Sequence, residues 1–543
     1  MAIAELCAAF EANLPYYRSQ DFDETSTRQR FIDPFFAALG WDVADEGRRG
    51  PYADVILEYA LLQRERHRVA GQLPLEEAEE AEDTRVEVAL AATQDAGAVP
   101  VRRPDYSFRV NGARQFFVEA KRPSVNVATP RPIFQVKSYA WSAGTPIAVL
   151  TDFEDLLVFD CRYRPVLEEP NTGLLPEFRL SFRDFPANWD LLWGTLSRDA
   201  GASGSLARYV EEQGPRRGQL LVDRAFLGDL SRWRSQLAQS FAAENQDIDV
   251  WQLSDATQLT LDRLVFVRVC EDRRLEPDEI LRPQLELDDP YAAFIQAIAP
   301  LRTNYNGGLM EPDLADRLSV DSEVFKRIVR GLYSPWSPYR FDVLGVEILG
   351  SIYERALGSE LRLDDQRSVS IELKPEVRKA GGVYYTPQWV VEEIVRLTMD
   401  PLIDGKAPRA LEDFRVLDPA CGSGSFLLAA FARLIRHYED YYTQHPTVDR
   451  RLHVRDEQGV SRLTSEGKAR VLHRHIYGVD VDPAAVEVTM LSLYLKSLES
   501  DSPEYIRAQM QLGGAIRRRL SAISVLATHS SRPTSTRRAG STS

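Results

Sequence analysis

The sequence has 543 residues, of which 44% are apolar and 27% are charged, and its formal net charge is -15. This length exceeds what one hydrophobic core supports, so about two to four domains are expected. The chain has no apolar run long enough to cross a bilayer and no basic region ahead of an apolar start, which excludes a membrane span and a secretory signal. Its four scattered cysteines exclude a disulfide framework. A cytoplasmic location without a membrane partner is therefore expected.

The amino-terminal part mixes amphipathic helices with short β-rich runs, and two of these runs flank Asn111-Gly112. An Asn-Gly pair between β-rich runs is a strong signal for a two-residue hairpin turn. The turn places Asp105, at the start of the first run, beside the far end of the second strand. Glu119 and Lys121 are two residues apart on that strand, so their side chains project from the same face. Two carboxylates and one ammonium group are therefore predicted to converge.

Hard divalent cations such as Mg²⁺ prefer carboxylate oxygens and retain some of their waters. Asp105 and Glu119 are therefore predicted to hold Mg²⁺, while Lys121 positions or activates the attacking water. The chemistry would be phosphodiester hydrolysis. A Glu-x-Lys pair on a strand is by itself usually a surface salt bridge, so the hypothesis depends on the hairpin and on the elements around it.

These residues resemble the PD-(D/E)xK nuclease superfamily, here in the form Pro104-Asp105 followed by Glu119-Ala120-Lys121. The resemblance covers residues 15–165. It implies an α/β nuclease domain over residues 1–165 that acts on double-stranded DNA.

The resemblance extends to three residues outside the hairpin. Gln135 and Tyr139 resemble the Q-x-x-x-Y element that follows the triad in type I and related restriction subunits, which places them with the catalytic residues. The alternative is that both only pack and orient the site. Glu24 resembles the helical acid that often precedes the triad, and the resemblance implies a third metal ligand; the alternative is a solvated residue at a helix start.

The net charge of -15 is unusual for a DNA-binding protein, because neutralisation of phosphates by Lys and Arg drives much of the affinity. Much of the acid, however, lies in residues 73–89. Basic residues gather around the hairpin and are expected to form its DNA-facing surface; they are Arg102, Arg103, Lys121, Arg122, Arg131 and Lys137.

The middle of the chain has a different character. Residues 166–221 are richer in Pro, Gly and Arg and are interpreted as a linker. Over residues 222–365 apolar positions recur at spacings of three and four, which predicts a helical connector. No G-x-x-x-x-G-K-[ST] sequence occurs, so ATP-driven translocation is not expected.

Residues 366–514 alternate helices with apolar strands, which is typical of a parallel, doubly wound α/β sheet. An inserted helical excursion is expected at residues 435–475. Residues 515–543 lose this periodicity and become rich in Ser, Thr and Arg, so a disordered tail is predicted, and a truncated or frame-shifted end is favoured over an ordinary basic tail. The predicted elements are a helix near Gln388–Met399, a strand at 415–418, a helix from Ser425, a strand at 476–480 and a helix from Pro483.

A glycine-containing turn joins the first of these strands to its helix, in the sequence D-P-A-C-G-S-G over residues 418–424. Glycines at a strand-to-helix turn let the backbone approach a ligand closely. This sequence resembles motif I of the amino-methylating DNA methyltransferases, in which the turn wraps S-adenosylmethionine. The resemblance implies that Asp418, Ala420, Gly422 and Gly424 bind this cofactor, with the helix amino terminus near its carboxylate.

Two further segments resemble methyltransferase motifs. The strand that ends at Asp480 resembles motif II, whose acid accepts hydrogen bonds from the ribose hydroxyls, while Asp482 is interpreted as a helix cap. The segment Gly382–Pro387 resembles motif X, which closes over the methionine end of the cofactor. Tyr385 and Thr386 are the cofactor-binding residues implied there; an ordinary helix start is the alternative.

The order of motifs X, I and II resembles the γ arrangement, in which an N-P-P-Y type catalytic loop follows. Methylation of an exocyclic amine needs that loop to hold a flipped base. No Asn-Pro-Pro sequence occurs in the chain. Cofactor binding is therefore expected to survive, whereas methyl transfer is not expected unless a separate chain supplies the loop and a target-recognition domain.

Together these parts resemble type IIG restriction-modification proteins. The resemblance implies a multidomain α/β fold: a PD-(D/E)xK nuclease domain, a helical connector and a Rossmann-like, doubly wound methyltransferase core. It also implies Mg²⁺-dependent DNA cleavage and S-adenosylmethionine-dependent methylation of the adenine N6 amine. Two alternatives stay open, namely a non-catalytic cofactor-binding remnant and an orphan methyltransferase with a decayed nuclease domain.

Overall fold

The structure is a computed structural model that describes residues 3–44, 54–57, 104–110, 113–212, 220–273, 276, 279–304, 308–345, 350, 358–374, 386, 388–455, 460–481, 483–497 and 524–527. Within these ranges the protein is a mixed α/β fold with four β-sheets. Some positions singled out in the sequence lie outside the described residues: the acidic segment 73–89, Arg102, Arg103, Asn111, Gly112, Tyr385 and Asp482.

The amino-terminal part is built on a six-stranded mixed sheet. The strands lie in sequence order; β3 and β4 are parallel, and all other neighbours are antiparallel. Their bounds are β1 (Val55–Leu57), β2 (Tyr106–Val110), β3 (Ala113–Ala120), β4 (Ile147–Thr151), β5 (Asp155–Asp160) and β6 (Leu180–Ser181).

Two buried clusters cover the faces of this sheet, because successive side chains of a strand point to opposite sides. On β3, Phe116 and Val118 pack into one cluster and Phe117 packs into the other. The first cluster includes residues of α1 (Ile3–Ala12), α2 (Leu14–Tyr17), a π-helical turn (Arg28–Ile32) and α4 (Asp33–Ala38), with α3 (Glu24–Thr27) between them. The second includes residues of α5 (Pro130–Ser142).

The prediction of a linker over residues 166–221 is wrong for residues 176–212. Besides β6, this stretch forms a 3-10 turn (Pro176–Phe178), α6 (Trp189–Leu196), α7 (Arg198–Ser203) and α8 (Ser205–Glu212). Leu192, Leu206 and Val210 are buried in the same cluster as Phe116. The Pro and Gly residues that indicated a linker mark element ends, as where Gly204, with φ +71°, terminates α7.

Helices predominate in the described parts of residues 222–330, as the spacing of apolar residues predicts. The helices are α9 (Val222–Glu244), α10 (Val250–Asp272), α11 (Pro290–Ile298), α12 (Leu301–Asn304) and α13 (Ser322–Arg330), with 3-10 turns at Arg282–Glu286, Gly308–Met310 and Leu314–Arg317. An antiparallel hairpin of β7 (Ser359–Leu363) and β8 (Val369–Leu373) packs on them and was not predicted.

The carboxy-terminal part contains a parallel three-stranded sheet in the order β13-β12-β9. All the helices and strands predicted between residues 388 and 497 are confirmed, and the excursion at 435–475 also contains an antiparallel hairpin. The elements are α14 (Gln388–Ile403), a 3-10 turn (Pro408–Leu411), β9 (Val416–Asp418), α15 (Ser425–Gln444), β10 (His453–Arg455), β11 (Ser461–Leu463), α16 (Ser465–His475), β12 (Ile476–Asp480), α17 (Pro483–Ser497) and β13 (Ser524–Ala527).

The strand β13 corrects the prediction of disorder over residues 515–543. Its backbone pairs in parallel with β12, from Ser524 opposite Tyr477 to Ala527 opposite Asp480. The Ser/Thr/Arg-rich composition of this segment indicates disorder, but it contains the short run Ser-Val-Leu-Ala, which has the apolar and β-branched character of a strand. The prediction is therefore wrong for these four residues.

One buried cluster extends through the helical connector into the carboxy-terminal part and includes residues from α9, α10, α14, α15 and α17. Trp141 of α5 also belongs to it, so the amino-terminal part is packed against the helical connector. All four cysteines are buried and free. Among the helices of the described ranges, none has the length and apolar character needed to cross a membrane.

Candidate functional site

The predicted hairpin is formed, and its register brings two acidic residues together. Strands β2 and β3 pair antiparallel with Tyr106 opposite Val118, so the residue before Tyr106 lies beside the residue after Val118. The backbone N–H of Ala120 donates to Oδ2 of Asp105 at 2.7 Å, which ties that carboxylate to the end of β3. Asp105 and Glu119 therefore meet at one end of the hairpin.

Lys121 lies among acidic side chains at this end. Its Nζ donates to Oε1 of Glu119 at 2.6 Å and to the carbonyl oxygen of Ala120 at 2.8 Å, and it lies 3.4 Å from Oε2 of Glu24. Burial alone favours the neutral amine, but the carboxylates of Glu119, Glu24 and Asp105 outweigh it and raise the pKa of Lys121. The ammonium form is therefore the resting state.

Glu119 is the most deeply buried member of the cluster, with 3% of its surface exposed. Its Oε1 accepts from Lys121 and from Nε2 of Gln135 at 3.1 Å. Its Oε2 is buried and has no hydrogen-bond partner among the described residues. Burial and the nearby charge of Asp105 raise the pKa of Glu119, and the same two causes raise the pKa of Glu24. A cation at this position would relieve both effects.

Arg28 contacts the site and was not found by sequence reasoning. Its Nη1 lies 3.1 Å from Oδ1 of Asp105, and its guanidinium is 5.1 Å from the centroid of the Tyr106 ring. The Tyr106 hydroxyl donates to Asp33 at 2.7 Å. The signal in the sequence was the spacing of four residues between Glu24 and Arg28, which places both on one helical face.

Two residues predicted near the site lie elsewhere on α5. Tyr139 is one turn beyond Gln135, and its ring packs against the ring of Phe117 with centroids 5.9 Å apart. Lys137 was expected on the basic DNA-facing surface, and this is wrong. It is buried, and its Nζ donates to the carbonyl oxygens of Pro170 and Thr172 at 3.0 and 2.7 Å.

The carboxylates of Asp105, Glu119 and Glu24 can be compared with the ligands that a metal ion requires. Within the described ranges, no group of three or more His, Cys, Asp or Glu side chains is arranged to hold one. The three predicted ligands Asp105, Glu119 and Glu24 therefore do not form a preassembled set, and Glu24 faces Lys121 instead. Two carboxylates with an unsatisfied buried oxygen do fit Mg²⁺, which keeps several of its waters in protein sites.

The second candidate site is the turn between β9 and α15. In the register of the parallel sheet, Gly478 lies opposite Asp418, so Asp418 and Asp480 stand at the carboxyl ends of neighbouring strands. The backbone N–H of Gly422 donates to Oδ2 of Asp480 at 2.9 Å, and that of Ala420 donates to Oδ1 of Asp418 at 3.1 Å. The carboxyl edge of a parallel sheet is where such folds bind ligands.

The two glycines of this turn adopt conformations that side chains disfavour. Gly422 has φ +52° and Gly424 has φ +82°. A Cβ on Gly424 would lie 2.7 Å from Cγ2 of Thr489, and the hydroxyl of Thr489 donates to the carbonyl oxygen of Gly422 at 2.6 Å. The turn is therefore held against α17. Thr386 is half-buried just ahead of α14, and the neighbouring Tyr385 lies outside the described residues.

Two family models match the chain. The model of N-6 DNA methylases matches residues 371–512. The model of the type I restriction enzyme R protein N terminus matches residues 21–166. Two separate segments of the chain are therefore similar to two families of restriction-modification proteins, one to the restriction enzyme N terminus and one to the N-6 DNA methylases.

Individual relatives agree with this class. The chain is 30% identical over 508 residues to the type II restriction enzyme and methyltransferase RM.Eco57I of Escherichia coli, an alignment that covers 93% of this chain and 47% of that relative. It is 23% identical over 328 residues to the putative type II restriction enzyme and methyltransferase RM.MjaORFECS2P of Methanocaldococcus jannaschii, covering 46% of this chain and 25% of that relative.

A solved structure, that of the type IIG restriction endonuclease BpuSI, matches with 13% sequence identity and a TM-score of 0.26 over 77% of this chain and 40% of that one. The chain thus spans less than half the length of each of these relatives.

Proposed function

We propose that this chain is a DNA restriction-modification enzyme with two sites. One site, at Asp105, Glu119 and Lys121, hydrolyses double-stranded DNA with Mg²⁺. The other, at the turn between β9 and α15, binds S-adenosylmethionine for methylation of adenine N6. The observation that carries the nuclease half is the buried Glu119: within the described ranges its Oε2 has no hydrogen-bond partner, while its Oε1 accepts from Lys121 and Gln135.

In the nuclease site, Asp105 and Glu119 would hold Mg²⁺, with Oε2 of Glu119 as the free ligand atom. Bound Mg²⁺ supplies Lewis-acid stabilisation of the phosphate charge. Lys121 keeps its proton at Nζ and can donate a hydrogen bond that orients the attacking water or that stabilises charge on a phosphate oxygen. Gln135 donates to Oε1 and so fixes the carboxylate plane of Glu119. Arg28 holds Oδ1 of Asp105 and leaves that carboxylate less free to move.

In the cofactor site, Asp480 would accept hydrogen bonds from the ribose hydroxyls, and the backbone at Ala420, Gly422 and Gly424 would border the cofactor. Asp418, Thr386 and Tyr385 complete the proposed contacts. Bound S-adenosylmethionine supplies the methyl group. No Asn-Pro-Pro sequence occurs in the 543 residues. The residues of this turn therefore support binding of the cofactor, and transfer of its methyl group would also require a catalytic loop that holds the flipped base.

The nuclease half is tested by incubating the purified chain with long duplex DNA of mixed sequence, Mg²⁺ and S-adenosylmethionine. We expect cleavage by the wild type, none without Mg²⁺, and a loss of about 100-fold or more in Lys121→Ala, because that variant removes the group proposed to act on the water. Gel analysis of product formation measures each rate.

Lys326→Ala is the matched control, since it removes an ammonium group from α13 in the connector. Cleavage by Lys121→Ala at the wild-type rate would contradict the assignment of the site. Absence of cleavage by the wild type would favour the alternatives, a cofactor-binding remnant or a methyltransferase with a decayed nuclease domain.

A further inference from the structure

Helix α5 contacts both the Asp105–Glu119 site and the helical connector. Gln135, Tyr139 and Ser142 follow at spacings of four and three residues, so they lie along one face of the helix. At one end of this face, Gln135 donates to Glu119 at 3.1 Å. At the other end, the hydroxyl of Ser142 donates to the carbonyl oxygen of Pro338 at 3.2 Å and accepts from the backbone N–H of Arg340 at 3.0 Å. The connector therefore holds the last turn of the helix.

The side chain of Arg340 lies against the middle of this face. Its Cζ is 5.1 Å from the centroid of the Tyr139 ring, which corresponds to a cation–π contact. Only 3% of Arg340 is exposed. Its Nε and Nη1 are buried and have no hydrogen-bond partner within the part of the chain that the structure describes.

An arrangement of this kind is a poor way to stabilise a fold. The Nε and Nη1 groups of Arg340 lose their hydration without gaining a hydrogen bond, and this penalty exceeds what contact with one aromatic ring returns. An apolar side chain of similar length would fill the same space without that penalty. The retained charge therefore indicates a role other than stability.

We propose that Arg340 is a positioning residue of the nuclease site, an inference that rests on the proposed DNA hydrolysis. The backbone N–H of Arg340 donates to Ser142, and its guanidinium contacts the ring of Tyr139. These two contacts together fix the rotation of α5 about its axis. That rotation sets Gln135 against Glu119, about 10 Å along the helix from Ser142. Arg340 thus orients a carboxylate that it does not touch.

The first test compares Arg340→Met with Arg340→Lys in the full chain. Met keeps the length and apolar stem and removes the charge, so we expect cleavage kcat to fall about tenfold with KM for DNA unchanged, and the Mg²⁺ concentration for half-maximal rate to rise. Lys retains a cation near the ring, so it is expected to recover part of the rate. Arg327→Met, an exposed cation of the same connector, is the control.

Thermal unfolding separates positioning from a merely structural role. Because Arg340→Met removes two buried N–H groups that have no hydrogen-bond partner among the described residues, its melting temperature is expected to equal or exceed that of the wild type while its rate falls. A variant that lost rate and melting temperature together, or that kept both rate and Mg²⁺ dependence, would overturn the proposal.

A double-mutant comparison tests whether Arg340 acts through Gln135. Gln135→Ala removes the hydrogen bond to Glu119 directly. If the connector works through this bond, adding Arg340→Met to Gln135→Ala costs little more, because residues of one pathway are not additive. Rate losses that multiply would show that Arg340 acts by another route.

Hydrogen exchange gives a measurement that does not need cleavage. We expect the backbone amides of α5 from Val136 to Ser142 to exchange faster in Arg340→Met than in Arg327→Met. A wild type that cuts no DNA would contradict the proposed function, whereas equal exchange in the two variants would contradict the anchoring of α5 by Arg340.

Discussion

Lys121 and Lys137 illustrate how burial separates residues that look alike in the sequence. Both lie close to the hairpin and both were expected to face DNA. The ammonium of Lys121 is held among carboxylates, whereas that of Lys137 donates to two backbone carbonyls and burial lowers its pKa. Sequence spacing alone does not distinguish them, because only the fold decides which lysine has carboxylate neighbours. Lys137 is a structural residue.

Asp152, in the turn between β4 and β5, gives a prediction about pH. Burial raises its pKa from 3.8 to about 8. Because the native state then holds the proton more tightly than the unfolded chain, the free energy of unfolding falls as the pH rises between these values. Asp152→Asn keeps an acceptor for the backbone N–H of Asp155 and removes the charge. We expect the variant to be more stable than the wild type by a few kcal/mol at pH 8, with no difference near pH 4.

Denaturant unfolding at a series of pH values from 4 to 8 measures the free energy of unfolding. Hydrogen exchange of the β5 backbone amides is a second measurement of stability near Asp152. Glu168→Gln, at an exposed carboxyl in the loop after β5, is the control. The difference in stability between this variant and the wild type should not increase with pH. A stability difference for Asp152→Asn that stayed constant from pH 4 to pH 8 would show that Asp152 ionises normally in the native state.

Asp480 gives a prediction for the cofactor site. Oδ2 of Asp480 accepts from the N–H of Gly422, and in the proposed cofactor site the carboxylate also accepts from the ribose hydroxyls. Asp480→Asn retains one acceptor oxygen and loses the charge, so we expect the Kd for S-adenosylmethionine to rise about tenfold. Calorimetric titration measures this, with Asp413→Asn, at an exposed position before β9, as the control. An unchanged Kd would remove Asp480 from the site.

At the scale of elements, regular patterns were predictable and irregular ones were not. The Asn-Gly signal predicted the β2–β3 hairpin, and the strand–turn–helix order predicted β9 and α15, because these patterns are local. The helices of residues 189–212 were missed because Pro and Gly at their ends resembled a linker. Arg28 was missed for another reason: its contact with Asp105 depends on how α3 and the π-helical turn pack on the sheet.

The turn before α15 gives a prediction at this scale. Gly424→Ala meets both the strain of positive φ and a Cβ contact 2.7 Å from Thr489. We expect a loss of about 2–3 kcal/mol in unfolding free energy, since strain and overpacking add. Gly405→Ala is a matched control, because Gly405 has φ +72° but no atom within 4 Å of the added Cβ. Equal losses in the two variants would show that α17 moves aside without cost.

At the scale of the whole molecule, the buried core does not follow the predicted domain boundaries. One cluster joins the connector to the carboxy-terminal part and takes in Trp141 from α5. The predicted boundaries at residues 165, 221, 365 and 514 rest on changes in composition along the chain. Composition does not show which residues contact one another in the folded protein. These boundaries stay predictions, although residues 176–212 pack with the six-stranded amino-terminal sheet.

Asp229 gives a prediction about the contact between the amino-terminal part and the helical connector. It lies on α9, is 3% exposed, and its Oδ2 accepts from the Tyr339 hydroxyl at 2.6 Å and from Nη2 of Arg164 at 2.8 Å. Asp229→Ala leaves these donors without their acceptor, so we expect a loss of about 2 kcal/mol. Thermal unfolding measures it against the exposed Asp247→Ala. Identical melting of the two variants would show that solvent replaces the lost contacts.

The register of the β2–β3 hairpin has a consequence for biosynthesis. A slip of one residue would turn Glu119 to the opposite side of the sheet and part it from Asp105. Gln135 and Arg28 approach from separate helices, so the four groups meet only after those helices have docked. A nascent or misfolded polypeptide therefore carries the acids and cations as scattered residues, and the proposed capacity to damage host DNA arises only on completion of the fold.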